Sequence, residues 1–168
     1  MRFLIHFSYD GSSFHGYQTQ PGYRTIQEEL ENAATKINNG EKVKVVASGR
    51  TDKKVHAYHQ VAHLDMNVSI SPKQVKRAMN RYLPSDIHVF EVEEVSSDFH
   101  ARYYVISKTY EYHLNMGEYN PIRRNYCYQH NYKLDIEAMK KAITYFIGTH
   151  DFRAFVTVNS IKDICVRT

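Results

Sequence analysis

Residues 43–66 read VKVVASGRTDKKVHAYHQVAHLDM, and this stretch decides the fold. Val43, Val45 and Ala47 recur at every second position, the period of a short strand. A second strand follows from about Val55 to Met66, and the polar, charged run from Ser48 to Lys54 is the loop that joins them. Upstream, Phe3, Ile5 and Phe7 alternate with Leu4, His6 and Ser8 until Asp10-Gly11 ends that strand. Thr25-Ile26-Gln27-Glu28 has the pattern of a capping box, with Thr25 as N-cap and Glu28 reaching back from the third helical position. Ile26, Leu30, Ala33 and Ile37 then recur at helical spacing, and Asn38-Asn39-Gly40 stops the helix. Downstream, Ser71-Pro72-Lys73-Gln74 is a second capping box with proline at the first helical position, leading Val75, Ala78, Met79, Tyr82 and Leu83. The β-branched run Ile87 to Val95 returns as a strand.

The order over residues 1–96 is therefore β-α-β-β-α-β, the ferredoxin-like plan of the α+β class. It predicts two helices on one face of a four-stranded antiparallel sheet, with the other face open. Residues 97–168 read as a second α+β domain that continues the sheet. A long strand is expected from Arg102, with Tyr104, Ile106, Lys108, Tyr110, Tyr112 and Leu114 on one face. Asp135 caps a helix carrying Ile136, Met139, Ile143 and Phe146, with Gly148 at its stop. Phe152 to Val158 reads as a strand and Ile164 to Thr168 as the opening of another, so this half looks incomplete.

Composition bounds the function. The chain has 168 residues, 42% hydrophobic and 24% charged, which excludes a disordered tail or a collagen. Fourteen tyrosines and eight phenylalanines, with no tryptophan, are more phenols than a small core can satisfy. The net charge of +4 permits a nucleic-acid partner without demanding one. Two cysteines without metal spacing suit a reducing compartment. With no apolar leader and no membrane-length apolar run, a cytoplasmic location is expected, with no membrane partner. Charge is polarised along the chain. Lys42, Lys44, Arg50, Lys53 and Lys54 oppose a single acid, Asp52, between residues 42 and 60, and Lys73, Lys76, Arg77 and Arg81 oppose none. Residues 86–98 carry five acids and no Lys or Arg. Such runs are either solvated faces or a phosphate-binding surface.

The densest chemical feature is Ser48-Gly49-Arg50-Thr51-Asp52-Lys53-Lys54-Val55-His56-Ala57. Asp52 is a lone carboxylate among cations, which favour its ionised form, so it is a candidate nucleophile or base. Equally, it could be an ordinary turn residue. Arg50 could pair with it, hold a phosphate or stack on a base. Among the ten histidines, His56, His59 and His63 lie closest in sequence, but strand alternation turns His56 away from the other two, so no metal site is expected. No phosphate-loop, dinucleotide or nucleophile-elbow motif is present, and no nucleotide cofactor is expected.

Gly49-Arg50-Thr51-Asp52-x-x-Val55-His56-Ala57 resembles the active-site signature of the tRNA pseudouridine synthase A family. Tyr9-Asp10-Gly11-Ser12-x-Phe14-x-Gly16-Tyr17-Gln18-x-Gln20, Gln60-Val61-Ala62-His63-Leu64, Phe99-His100-Ala101-Arg102, Lys108-Thr109-Tyr110-Glu111-Tyr112 and Gly148-Thr149-His150-Asp151-Phe152 resemble that family in the same order. The resemblance implies an isomerase, acting as a homodimer without metal or organic cofactor, that converts uridine to pseudouridine at positions 38 to 40 of the tRNA anticodon arm. It implies Asp52 as the essential aspartate, Arg50 as the residue that takes part in flipping the nucleotide, and Tyr110 as the ring against the target uracil. Lys53, Lys54, His56, Lys73, Lys76, Arg77 and Arg81 are the expected RNA contacts. Two features depart from the family. Lys53-Lys54 replaces its usual small residue and glycine, which would strain the chain if position 54 needs a positive φ. The family's later strands are also missing, so the chain looks truncated. The alternative is a non-catalytic RNA-binding or structural fragment on a ferredoxin-like sheet.

Overall fold

A computed structural model describes residues 1–156 and 165–168. The chain folds as two compact units, Met1–Glu111 and Tyr112–Thr168. The first is a mixed α/β unit containing β1 (Arg2–Tyr9), α1 (Ile26–Ile37), β2 (Val45–Ala47), β3 (Ala57–Asp65), α2 (Pro72–Tyr82) and β4 (Ile87–Val95). Its sheet has the order β2-β3-β1-β4, and every neighbouring pair is antiparallel.

Strand period explains the core. On β1, Phe3, Ile5 and Phe7 are fully buried, while Leu4, His6 and Ser8 face the other way. They pack with Leu64 of β3, Val89 of β4, Ile26 and Leu30 of α1, and Val75 and Met79 of α2 in one apolar cluster. Burying each large side chain of this kind stabilises the fold by about 1.5–3 kcal/mol.

The two helix starts differ. At α2 the capping box forms in full: the Ser71 hydroxyl accepts from the Gln74 amide, and the Gln74 side chain accepts from the Ser71 amide. At α1, Thr25 is the N-cap residue, but its side chain makes no capping bond. The first-turn amides go elsewhere, Ile26 N–H to Gly16 O at 3.3 Å and Gln27 N–H to Tyr17 O at 2.9 Å. A loop from outside the helix meets the orphan donors that a side chain usually satisfies. The Thr25 hydroxyl is left buried with no hydrogen-bond partner.

The outer face of the sheet is not wholly open. Arg2 grips Asp65 through Nε and Nη2, each at 2.8 Å, and its Nη1 donates to the carbonyls of Ser97 and Phe99. The Ala101 amide donates to His63 Nδ1 at 3.1 Å, and both residues are buried. Segment 96–104 is thus strapped against the outward side chains of β1 and β3.

The strand expected from Arg102 to Leu114 does not form. A turn follows Ala101, and only Leu114–Asn115 (β5) is extended into a pair. Between them, Ile106, Tyr110 and Tyr112 are exposed. Alternating β-branched and aromatic residues fit a pleated surface, but they make a strand only where a neighbour accepts the ladder.

In the second unit, β5 pairs in parallel with β6 (Tyr128–Gln129), and β7 (His150–Asp151) pairs antiparallel with β8 (Val166–Arg167). These are separate two-stranded sheets, so the expected continuation of the first sheet is not seen among the described residues. The helix α3 (Ile136–Thr144) is capped as expected, Asp135 Oδ1 accepting from the Ala138 amide at 2.9 Å. A 3₁₀ turn occupies Arg153–Phe155 where the strand from Phe152 was expected, and the rest of that strand to Val158 lies outside the described residues. Ile164 lies outside them too. No helix among the described residues is long and apolar enough to cross a membrane.

Burial, with help from Arg2 and His100, holds the His63 pKa below the ordinary histidine value. A depressed histidine contributes stability that is complete above the unfolded pKa of about 6.5 and lost as pH falls toward the folded value. Melting temperature should therefore fall as pH is lowered through and below about 6.5. His63→Gln, which keeps an acceptor for the Ala101 amide, should flatten that part of the curve; an unchanged profile would remove His63 as its cause.

Candidate active-site loop

The loop from Ser48 to His56 joins β2 to β3, and its backbone is pinned from several sides. The Ser48 hydroxyl donates to Gln60 Oε1 at 2.5 Å, and Gln60 Nε2 donates to Gly49 O at 3.2 Å. Lys108 Nζ donates to Ser48 O at 2.8 Å. The Thr51 hydroxyl meets the Tyr9 hydroxyl at 2.8 Å, and Thr51 O accepts from the Tyr17 amide at 2.9 Å. His56 Nδ1 lies 3.0 Å from Asp10 Oδ1 and 3.2 Å from the Gly11 amide nitrogen, and its tautomer selects between them.

This docking explains the glycines of the opening segment. A Cβ on Gly11 would stand 2.1 Å from Val55 O, so no other residue fits. Gly16 has φ +98°, and a Cβ there would lie 3.0 Å from Thr51 O. The backbones of 9–17 and 51–56 approach as closely as two chains can.

Arg50, Asp52 and Lys53 project from the pinned backbone and are exposed. They line an open cleft of about 710 Å³ whose remaining wall is His15, Gly16, Tyr17, Gln18, Gln20, Tyr23 and Thr51. The His15 and Tyr23 rings lie 4.5 Å apart at its rim. A carboxylate, a guanidinium, an ammonium and aromatic rings around one open space can receive an anionic, ring-bearing ligand. Burial pushes the Tyr9 phenol pKa up, hydrogen bonds from Thr51 and Gln60 oppose that, and the nearby Tyr110 phenol adds to the rise. Burial, with Tyr9 and Glu31 adding, pushes Tyr17 up as well. Both stay neutral and serve as scaffold.

The expected site residues fall into three places. Arg50, Asp52 and Lys53 share the cleft. Tyr110, an exposed ring, lies within electrostatic reach of Tyr9 and is not part of the cleft wall. Lys54 and His56 belong to the same loop outside that wall. Lys73, Lys76, Arg77 and Arg81 are on α2, where Arg77 and Arg81 flank a shallow groove of about 340 Å³ with Gln74, Ala78 and Tyr82. The anchors Tyr9, Gln60 and Lys108 had no role from sequence. A signal was present in Lys108, a cation inside an aromatic run; Gln60 gave none, since only the sheet register sets it opposite the buried Phe7.

Lys54 has φ +66°, the left-handed conformation that costs a side-chain-bearing residue about 1–2 kcal/mol. Lys54→Gly should therefore stabilise the protein by about 1 kcal/mol and raise Tm by about 2–4 °C. Gly11→Ala should do the reverse and by more. Paired thermal melts check both; a destabilised Lys54→Gly protein would mean that its side chain contributes more than the strain costs.

Comparison with known proteins gives this arrangement a family. A family profile described as tRNA pseudouridine synthase matches residues 5–104, which take in the four-stranded sheet from Ile5 of β1 onward, both its helices and the pinned loop. The chain is 46% identical over 162 residues to tRNA pseudouridine synthase A of Geobacillus sp. (strain WCH70), covering 96% of this chain and 65% of that protein. It is 48% identical over 162 residues to tRNA pseudouridine synthase A 1 of Bacillus cereus (strain ATCC 10987), covering 96% and 66%. With tRNA pseudouridine synthase A of Limosilactobacillus reuteri (strain DSM 20016) it shares 44% over 170 residues, covering 99% and 66%. The chain belongs to the tRNA pseudouridine synthase family, and it spans 65–66% of the length of these curated relatives.

Proposed function

We propose that this chain carries the catalytic loop of an isomerase that converts uridine to pseudouridine in tRNA, at positions 38 to 40 of the anticodon arm. The observation that carries the proposal is the Asp52 carboxylate, held on a backbone fixed by Tyr9, Tyr17 and Lys108 and set beside Arg50 in an open cleft. The β-α-β-β-α-β order and the strand order β2-β3-β1-β4 support reading the scaffold as ferredoxin-like.

The chemistry suits those residues. The target nucleotide leaves the stack so that its glycosidic bond can be reached. Arg50 occupies the space it vacates, and Tyr110 offers a flat face to the uracil. The N1–C1′ bond breaks, the uracil turns, and C5 bonds to C1′; C5 gives up its proton and N1 ends with one. Asp52 starts the sequence as nucleophile toward the sugar or base, or as a general base. The reaction is redox-neutral and adds no water, so one carboxylate suffices and no cofactor is required. Lys53, Lys54 and His56 beside the cleft and Lys73, Lys76, Arg77 and Arg81 on α2 supply the phosphate contacts. The protein works in the cytoplasm, as a homodimer.

Asp52→Asn keeps the shape of the side chain and removes its charge and basicity. It should abolish tritium release from tRNA labelled at uridine C5 while leaving tRNA affinity within a few-fold. Appreciable release by that variant would overturn the assignment, and binding without release by the unaltered protein would favour an RNA-binding module.

Tyr110→Phe should retain most of the rate, and Tyr110→Leu should lose one to two orders of magnitude, since base–aromatic stacking is worth about 1–3 kcal/mol. A large loss in the Phe variant would assign proton transfer to the hydroxyl.

Affinity for tRNA should fall steeply with salt, by about 0.7–0.9 log units per neutralised phosphate for each log unit of salt. Reversing Arg77 and Arg81 to glutamate should flatten that slope. An unchanged slope would return α2 to the status of solvated surface.

A further inference from the structure

The outward face of the sheet carries a polar cluster that the uridine chemistry does not use. His6 on β1 stands directly across from Glu91 on β4, and Leu4 stands across from Glu93. The register slips between His6 and Phe7, where Phe90 is the extra residue on β4. Such a bulge re-aims the side chains beside it. The His6 imidazole is engaged at both nitrogens: Nε2 lies 3.1 Å from Glu93 Oε1, and Nδ1 lies 2.9 Å from His59 Nε2 on β3. The Phe90 ring closes the flank, edge-on to His59 at 5.1 Å.

We propose that His6, Glu91 and Glu93 form a binding site for a divalent transition-metal ion, zinc by preference, with His59 holding the His6 ring in the ligating orientation. The three side chains each bring one ligand atom, all within 4.8 Å of one another. A four-coordinate zinc with bonds of about 2.0–2.2 Å sets its ligand atoms about 3.3–3.6 Å apart. The His6–Glu93 pair, at 3.1 Å, is within a few tenths of an ångström of that spacing. Glu91 and Glu93 are exposed, which leaves their carboxylates room to change rotamer toward the ion. His6 is the fixed member, since its side chain is only 15% exposed and is held between two strands. Second-shell orientation of a ligating histidine through its other nitrogen is a recurrent feature of metal sites, and His59 stands where that partner belongs. An imidazole with two carboxylates suits zinc over magnesium, which takes oxygen ligands and retains its water. This site draws on three strands, which is why the spacing of histidines along the chain does not reveal it.

Isothermal titration of the metal-free protein with zinc chloride tests the proposal. One equivalent should bind and raise the melting temperature, and magnesium in large excess should not compete. Glu93→Gln and Glu91→Gln should each weaken zinc binding about tenfold or more, and His59→Gln by a smaller factor. Glu94→Gln, on the opposite side of the same strand, should leave it unchanged. Melting curves of the four variants without metal should match that of the unaltered protein, which separates ligand loss from misfolding. Absence of binding at zinc concentrations of about 100 µM, or binding that survives both Glu91→Gln and Glu93→Gln, would overturn the site and assign any uptake to other histidines.

Discussion

The hydrogen bonds that fix Thr51, from the Tyr17 amide to its carbonyl and between its hydroxyl and the Tyr9 phenol, are the constraint on which the candidate site depends. Neither partner is local to the loop. Tyr9 ends the first strand and Tyr17 belongs to the segment that follows it, so the shape of the loop depends on the placement of β1 in the sheet. The same segment gives the carbonyls of Gly16 and Tyr17 to the first turn of α1. One short stretch of backbone therefore docks the loop with one edge and caps a helix with the other. A change in its path would move both, which is why its glycines are steric requirements.

This division of labour bears on the strain at Lys54. A positive φ on a lysine is unfavourable in isolation. It persists because the turn is held from outside and from within, the Lys54 N–H meeting Phe14 O at 3.4 Å and the Val55 N–H closing the turn on Asp52 O at 3.2 Å. The tight turn between Asp52 and Val55 raises the carboxylate out of the loop toward the cleft. Strain of this kind survives only where the surroundings over-determine the backbone.

Much of this was legible in the sequence where a signal is local. The β4 boundaries, the α2 capping box and the alternation of β1 depend on period and on neighbouring residues, and each formed as read. What failed depends on distant parts of the chain. The Thr25 pattern placed the start of α1 correctly, yet a loop eight residues away took over the capping, leaving the threonine hydroxyl unsatisfied. The run from Arg102 to Leu114 has strand chemistry without a strand to pair with. The candidate loop stood out because three cations surround one acid within residues 50–54, but its anchors Tyr9, Gln60 and Lys108 come from three separate segments. The His6–His59 pair was invisible for the same reason, since only sheet register brings β1 and β3 together.

The two faces of the sheet follow from a single alternation. Each inward residue of β1 adds to the core, and each outward one is left to find a polar use. Arg2 finds Asp65 and the carbonyls of segment 96–104, and His6 finds Glu93 and His59. On β3, His63 receives the Ala101 amide. The outer face is thus tied by directional bonds and the inner face by apolar packing. Apolar packing is tolerant of shape, whereas a hydrogen-bonded face fixes angles and register. A loop that displays charged side chains from a fixed backbone needs the second kind of support. That support is present at its base, where Ser48, Gln60 and Lys108 meet: the strand β3 that carries Gln60 is held on one face by the core and on the other by His63 and its partners, so the loop inherits its rigidity from both.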